Sequence, residues 1–466
     1  MAVMMLGQPD WSPDLLERIG LDTSAVEQLL TLLDDYLAYF QECYQRCEQR
    51  HHGEVYVKGL LSNLDRKSIE PIALAFDGEK GVRPTQLFLQ RSPWDDEKML
   101  YLYQQRVASQ VNDPNGMLTV DGSDMPKKGS HSVGVARQYC GTEGKTDNCQ
   151  AGVFIGYSGA QGYGLLDRRL YLPKKWFTEE YRDKRIQCGV PEDVVFATKN
   201  QLAIEMIDKA LASGNFHARW IGCDAAFSSD QKFRGSLPPG YWLFGDVRAT
   251  QLVWRTRPEW VRPEYSGCGR PPTKLVLSPA PVSVESIAKD DTLPWETVNL
   301  GEGAKGPIMA KVKCCRVIEC VDGQPGGEIW LYIREYENGR IKYSISDAPA
   351  DLPRAELDHA ATLRWPIEQC FEECKDCLGM DEYEMRSWNG WYRHMLFVFI
   401  AHLFTLEIRI RFQKKLTMPQ AYRLIRVAFT QDPAQIRKAI ADLKYYLKRN
   451  HVAYQSHRKR KLMDSG

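Results

Sequence analysis

Between Met117 and Phe244 the hydrophobic pattern changes period in a fixed order, and few architectures satisfy that order. Met117-Leu118-Thr119-Val120 is a short apolar run that ends at Asp121. A polar turn from Ser123 to Ser130 follows, with Pro126 and Gly129. Extended runs come next at Ser132–Cys140, Ala151–Tyr157 and Gly164–Leu172. Val194–Ser213 has helical spacing, Ala218–Cys223 is again strand-like and leads to Asp224, and Tyr241–Phe244 is the last run. Strands whose sequence is broken by helices predict a mixed α/β sheet.

At 466 residues the chain is long enough for two to four domains. Residues 1–110 read as helical: Ser24 and Glu27 form a capping box, and Ser92-Pro93-Trp94-Asp95 sets a proline at a first helical position. Such a module binds DNA or merely packs. Residues 251–350 hold many prolines and glycines, with strands at Ile329–Glu335 and Arg340–Ile345 joined by Asn338-Gly339, a strong hairpin signal. They are expected to form a mainly β insertion. Arg354–Leu378 reads as one helix, and Trp391–Ile410 as another. The core is therefore expected over residues 111–250 and 351–390, with a helical, basic C-terminal region over 391–466. The element order is that of a ribonuclease H-like core, completed by the delayed helix.

Hydrophobic residues at 43% and charged residues at 26% exclude a wholly disordered, collagen-like or coiled-coil chain. The longest apolar run, Met395–Leu406, is too short to span a bilayer, and the N-terminus lacks a secretory pattern. Thirteen cysteines, an odd count, suggest reduced thiols and a cytosolic protein. Cys374 and Cys377 form a CxxC without a partner pair at zinc-finger spacing. The net charge is only +1, but residues 381–466 hold 17 Lys+Arg against 7 Asp+Glu. The basic end includes Arg458, Lys459, Arg460 and Lys461. A basic tail on an acidic body fits a nucleic-acid partner or a solvated helical face.

Asp121 and Asp224 each follow a short buried-type strand, the edge where open α/β sheets bind ligands. Singly, such an aspartate is more often a turn or cap residue. Asp124 competes with Asp121 but is expected in the turn beyond the strand. On the helix from Arg354, residues Ile367, Phe371, Cys374 and Leu378 form an apolar stripe. Arg364, Glu368 and Lys375 cluster on one flank, with Glu372 further towards solvent. That flank brings a carboxylate and phosphate-binding cations to a site, or is a set of surface ion pairs.

Arg364, Glu368 and Lys375 match the R-E-K spacing of bacterial insertion-sequence DDE transposases. The stretches Asp121–Gly141, Asp167–Pro173 and Glu384–His394 resemble insertion-sequence family 701, and the likeness runs from about Phe40 to about Leu406. It implies Asp121, Asp224 and Glu368 as the catalytic, metal-holding carboxylates. It also implies Arg364 and Lys375 as contacts to the DNA backbone, with Lys127, Lys128 and the four-residue basic cluster as further DNA contacts. The implied activity is cleavage of terminal inverted repeats and joining of the ends to target DNA. Mg²⁺ is the implied cofactor, with Mn²⁺ as substitute, since three carboxylates attract hard cations. Double-stranded DNA, a homodimer on that DNA and the bacterial nucleoid in the cytoplasm complete the expectation. Ala361 stands where the fuller signature has a tyrosine, which leaves a hairpin intermediate open. Tyr343, Trp254, Trp260, Trp295 and Trp330 are the aromatic residues available to stack on a base.

Overall fold

The computed structural model describes residues 11–264, 272–303 and 306–464. The chain forms two compact units. One is Met1–Ala218 with Glu302–Gly306 and Trp365–Gly466; the other is Arg219–Gly301 with Pro307–Arg364.

Among the described residues the first unit opens with seven α-helices: α1 (Leu15–Arg18), α2 (Thr23–Glu27), α3 (Leu29–Ala38), α4 (Cys47–Leu61), α5 (Ile69–Phe76), α6 (Glu79–Gln90) and α7 (Asp96–Val111). Two starts differ from the capping patterns in the sequence. Asp22 caps α2 by accepting from Ala25 N at 2.8 Å, and Asp95 caps α7 by accepting from Lys98 N at 2.8 Å. A carboxylate accepts strongly from the unsatisfied amides of a first turn, so these aspartates set the boundaries and Pro93 stays outside α7.

Four strands follow: β1 (Met117–Pro126), β2 (Ala136–Cys140), β3 (Lys145–Gly159) and β4 (Gly162–Tyr171). All pair antiparallel, and β3 takes β1, β2 and β4 as partners. From Cys149 to Gly159 every residue of β3 is buried. After α8 (Arg182–Cys188), α9 (Lys199–Ala212) starts at a capping box of Thr198 and Gln201.

The second unit holds β5 (Trp220–Cys223), α10 (Ala225–Ser228), α11 (Gln231–Gly235), β6 (Trp242–Val247), β7 (Leu252–Trp254), β8 (Glu259–Val261), β9 (Val276–Ser278), β10 (Val282–Ser283), α12 (Val284–Ala288), β11 (Glu296–Gly303), β12 (Gly306–Val321), β13 (Gln324–Tyr336), β14 (Ile341–Ser346) and α13 (Arg354–Leu363). Its strand order is β5-β6-β14-β13-β12-β7-β10. Along this order β5 and β6 pair parallel, and the later pairs are antiparallel. Gly339 takes φ +76 in the β13–β14 turn, a conformation glycine adopts without a Cβ clash. β14 hydrogen-bonds to β6 through Tyr343–Val247 and Ile345–Gly245. The Pro/Gly-rich segment therefore closes into one unit with the strand before Asp224, and the contacts divide the chain elsewhere than composition does. Val247, Val253, Leu331, Ile333 and Ile345 form its core under α12.

The chain returns to the first unit as α14 (Pro366–Leu378), α15 (Trp388–Arg411), α16 (Met418–Ala428) and α17 (Pro433–Asp464). The expected single helix over Arg354–Leu378 is two, broken at Arg364-Trp365. Pro366 has no N–H to give the carbonyl four residues back, so the first helix stops and proline opens the second. No helix among the described residues is long and apolar enough to cross a membrane.

Candidate acidic site

In β1 the buried stretch Met117–Val120 ends at Asp121, which is half-buried, but the strand does not end there. It continues to Pro126 because β3 keeps pairing as far as Cys149. Asp121 lies opposite Phe154, so the two side chains share a sheet face. One Asp121 oxygen accepts from Gly122 N at 2.7 Å. Thr119 and Ser123 stand two residues before and after it on the same face. They are 2% and 5% exposed, and neither hydroxyl has a hydrogen-bond partner among the described residues.

Asp124 is within the strand, not beyond it, and alternation turns it to the opposite face. There its carboxylate accepts from Gly141 N at 2.6 Å and lies 3.9 Å from Lys199 Nζ. Asp124 thus holds a turn and a helix rather than sharing the Asp121 face.

α14 covers the Asp121 face. A Cβ at Gly156 would lie 3.2 Å from Ile367 Cγ1, and Phe371 meets the Phe154 ring with centroids 5.3 Å apart. Ile367, Phe371, Cys374 and Leu378 are all buried, so the stripe seats the helix. Glu368, between Ile367 and Phe371, is half-buried; Glu372 is exposed. Lys375, seven residues after Glu368, returns to the same side two turns on and is half-buried.

The roll of α14 about its axis is fixed by a buried carboxylate. Glu373 Oε1 accepts from Tyr163 OH at 2.8 Å and from Gln369 Nε2 at 2.9 Å, while Oε2 lies 2.8 Å from His402 Nε2. These partners come from β4, α14 and α15, so the carboxylate ties three elements together.

In the second unit, Asp224 ends the fully buried β5 and caps α10. Its Oδ1 accepts from Ala226 N at 2.9 Å and Phe227 N at 3.3 Å. Asp224 is half-buried. Arg364 closes α13 and is 3% exposed. Its charge belongs to a cluster around Asp246. Burial pushes the Asp246 carboxyl up, but Arg334, Arg364 and Lys342 outweigh it and hold the group below its ordinary range. Arg334 reaches Asp246 at 3.0 Å and Ser344 Oγ at 2.7 Å. Ala361 is buried on α13 beside Leu357 and Ala360.

The basic candidates differ in access. Lys127 is half-buried, donates to Tyr383 O at 3.0 Å and sits 3.5 Å from the Tyr383 ring centroid. Burial pushes its ammonium down to about 8. Lys128 is exposed. On α17, Lys459 and Arg460 are exposed, whereas Arg458 donates to Tyr454 OH at 2.6 Å. The Lys461 side chain lies outside the described residues. Of the aromatic residues in 251–350, Trp254 and Tyr343 are buried and Trp260 is 55% exposed. Trp254 Nε1 donates to Pro279 O at 2.8 Å and Trp330 Nε1 to Pro349 O at 3.0 Å.

A cavity of about 500 Å³ in the first unit is lined by Glu97, Arg169, Asp193, Glu205, Trp388 and Tyr392 among others, and by none of the three carboxylates. Asp121, Asp224 and Glu368 offer only carboxylate oxygen and each is partly open to solvent. That donor chemistry fits a hard divalent ion and does not suit a soft one. Thr119 and Ser123 escape sequence reasoning, because a strand hydroxyl has no signature until its face and burial are known.

The sequence model of the DDE superfamily endonucleases matches residues 39–307. A protein of Microchaete diplosiphon, named a probable transposase for insertion sequence element IS701, is 28% identical over 207 residues. The match covers 43% of this chain and 49% of that protein, so the chain spans about half the length of the curated relative it matches.

Proposed function

The chain belongs to the DDE superfamily of endonucleases, and we propose that within it the protein is an insertion-sequence transposase. It binds the terminal inverted repeats of its element, cleaves the ends and joins them to target DNA. The observation that carries this reading is the seating of α14 on β3. Phe371 on Phe154 brings the Glu368 helix onto the sheet face from which Asp121 projects. Similarity to the IS701 relative supports the same reading.

Members of this superfamily use divalent metal ions. We assign Asp121, Asp224 and Glu368 as the holders, with Mg²⁺ as the ion and Mn²⁺ as its substitute. When bound, such ions supply activation of water or a 3′-hydroxyl and stabilise charge at the leaving oxygen. The protein's own residues do the rest. The apolar stripe of α14 and the Glu373 cluster hold Glu368 in place. Lys375 and the exposed Lys128 neutralise the DNA backbone, with Lys459 and Arg460 further along α17. Arg364 is buried, and we assign it to the charge balance around Asp246 rather than to a DNA phosphate. The helices before β1 and the basic C-terminal region grip the element ends. The ribonuclease H-like arrangement, with residues 251–350 as its β-rich insertion, is part of the same proposal. Two ends are cut together, so the working form is a homodimer on double-stranded DNA at the nucleoid.

The test offers a labelled element end with a free 3′-hydroxyl, a supercoiled target plasmid and Mg²⁺. A transposase transfers the label to the plasmid. Cutting without transfer identifies a nuclease on the same scaffold, and the absence of both cutting and transfer in Mg²⁺ and in Mn²⁺ overturns the assignment.

A further inference from the structure

We propose that His51, His52 and Asp77 form a binding site for a borderline divalent cation of the zinc class, separate from the acidic residues above and independent of the transposase reading. His51 and His52 are consecutive on α4, and Asp77 closes α5 by donating its N–H to Ala73 O at 2.8 Å. Gly78, at φ +71, then redirects the chain into α6. One turn on, a Cβ at Gly81 would stand 2.3 Å from Asp77 Cβ, so glycine there is what lets the Asp77 side chain lie against α6.

The carboxylate is thereby aimed at both imidazoles. His51 Nε2 lies 2.8 Å from Asp77 Oδ1, and His52 Nδ1 lies 3.7 Å from Oδ2. One donor atom from each residue falls within 4.8 Å of the other two, an arrangement no other three His, Cys, Asp or Glu residues share among the described residues. Asp77 Oδ2 is buried and has no hydrogen-bond partner among the described residues. An unbonded carboxylate oxygen facing a ring nitrogen is costly unless a cation satisfies it.

Four ligands around zinc at about 2.0–2.1 Å stand about 3.3 Å from one another. The three donor atoms lie within 4.8 Å of one another, so ring rotations that draw them to that spacing would enclose an ion. His51 is exposed, which leaves the fourth position to water. Phe88 backs the His52 ring at 6.0 Å, and Thr85 Oγ1, 3.3 Å from His52 Nδ1, is the protein group that competes for that nitrogen. Two imidazoles and one carboxylate favour zinc over magnesium, the reverse of the all-carboxylate set. The bound ion would pin α4 to the corner between α5 and α6.

The experiment uses full-length, metal-stripped protein in excess Mg²⁺, which occupies hard-oxygen sites. Zn²⁺ is titrated by calorimetry and thermal unfolding is followed in parallel. Wild type is expected to take up Zn²⁺ and to melt several degrees higher when saturated, since a ligand of the native state stabilises it. His51→Ala, at an exposed position, and Asp77→Asn, close in shape, are each expected to weaken binding at least tenfold and to remove the rise in melting temperature. Zn²⁺ affinity unchanged in both variants, or no Zn²⁺-dependent shift in wild type, overturns the site.

Discussion

Phe371 of α14 meets Phe154 of β3 at 74°, ring edge to ring face, with centroids 5.3 Å apart. Phe154 is also the ladder partner of Asp121. An apolar contact therefore sets where an acidic helix stands relative to an acidic strand. Carboxylates repel one another, so their approach must be maintained by neighbours that do not carry charge. Phe371, Ile367 and Gly156 are those neighbours.

Asp121→Asn, Asp224→Asn and Glu368→Gln should each lower cleavage of end DNA on the order of a hundredfold or more, because each removes a ligand charge worth several kcal/mol to a metal-assisted step. Binding of end DNA should stay near wild type. Asp124→Asn should behave differently. It weakens acceptance from Gly141 N, costs about 1 kcal/mol of stability and leaves cleavage in place. Cleavage assays beside urea unfolding separate the two classes. Loss of cleavage in Asp124→Asn, with Asp121→Asn active, would reverse the assignment.

Gly156→Ala tests the seating of α14. The new methyl would press on Ile367 Cγ1 at 3.2 Å and on the Gly164 carbonyl at 3.3 Å. The Gly164 carbonyl is backbone, so the Ile367 side chain on α14 must give by a few tenths of an ångström. Overpacking of this kind costs about 1–3 kcal/mol. Cleavage at a temperature where the variant is fully folded should fall further than stability alone explains. Wild-type cleavage in the folded variant would show that the spacing of α14 from β3 is not critical.

The pH dependence of stability follows from His394, buried on α15. Tyr56 OH lies 2.8 Å from Nδ1, and Met380 O lies 3.2 Å from Nε2. Burial pushes the imidazole down to about 3. The unfolded chain takes up a proton below about 6.5 that the folded chain refuses. Stability from this group is therefore complete above about 6.5 and is lost as pH falls towards 3. Between pH 6.5 and 5 the loss is about 2 kcal/mol. His394→Gln, which can accept from Tyr56 and donate to Met380, should flatten that part of the profile in chemical denaturation. An equally steep profile in the variant would place the acid sensitivity elsewhere.

On α17, Ile436, Leu443, Leu447 and Tyr454 are buried and Lys448, Arg449, Lys459 and Arg460 are exposed. Removing the tail after Leu447 would discard the buried Tyr454, so substitution is the cleaner test. Replacing the four cations by Gln should reduce the slope of log binding constant against log salt by roughly 3 to 4. Unfolding should be unchanged. A slope equal to wild type would assign these charges to a solvated helix surface.

What the sequence makes legible is periodic and local. The Ile367-Phe371-Cys374-Leu378 stripe appears as a stripe because helical spacing alone defines it, and Asn338-Gly339 marks its hairpin because glycine supplies the positive φ the turn requires. The extension of β1 past Asp121 is invisible: Gly122, Ser123 and Asp124 are turn-type residues, and only pairing with β3 keeps them extended. The break before Pro366 is marked in the sequence, but a strong helical period on both sides hides it. The division into units depends on β6 meeting β14 about a hundred residues later, which no local pattern encodes. Arg364 and Lys127 look like surface cations in the sequence, and burial is a property of tertiary packing.

The order of the two units along the chain has a consequence for synthesis. The second unit is closed by residue 364, before any of α14 has been made. Phe371 comes 217 positions after Phe154, the ring it covers. Chains fold from the N-terminus as they emerge, and long-range contacts form late. The Asp121 face of β3 therefore waits, uncapped by α14, while the whole second unit leaves the ribosome. The acidic helix arrives only after residue 365, with α15, α16 and α17 still to follow, so a chain terminated before residue 368 carries Asp121 and Asp224 but not Glu368.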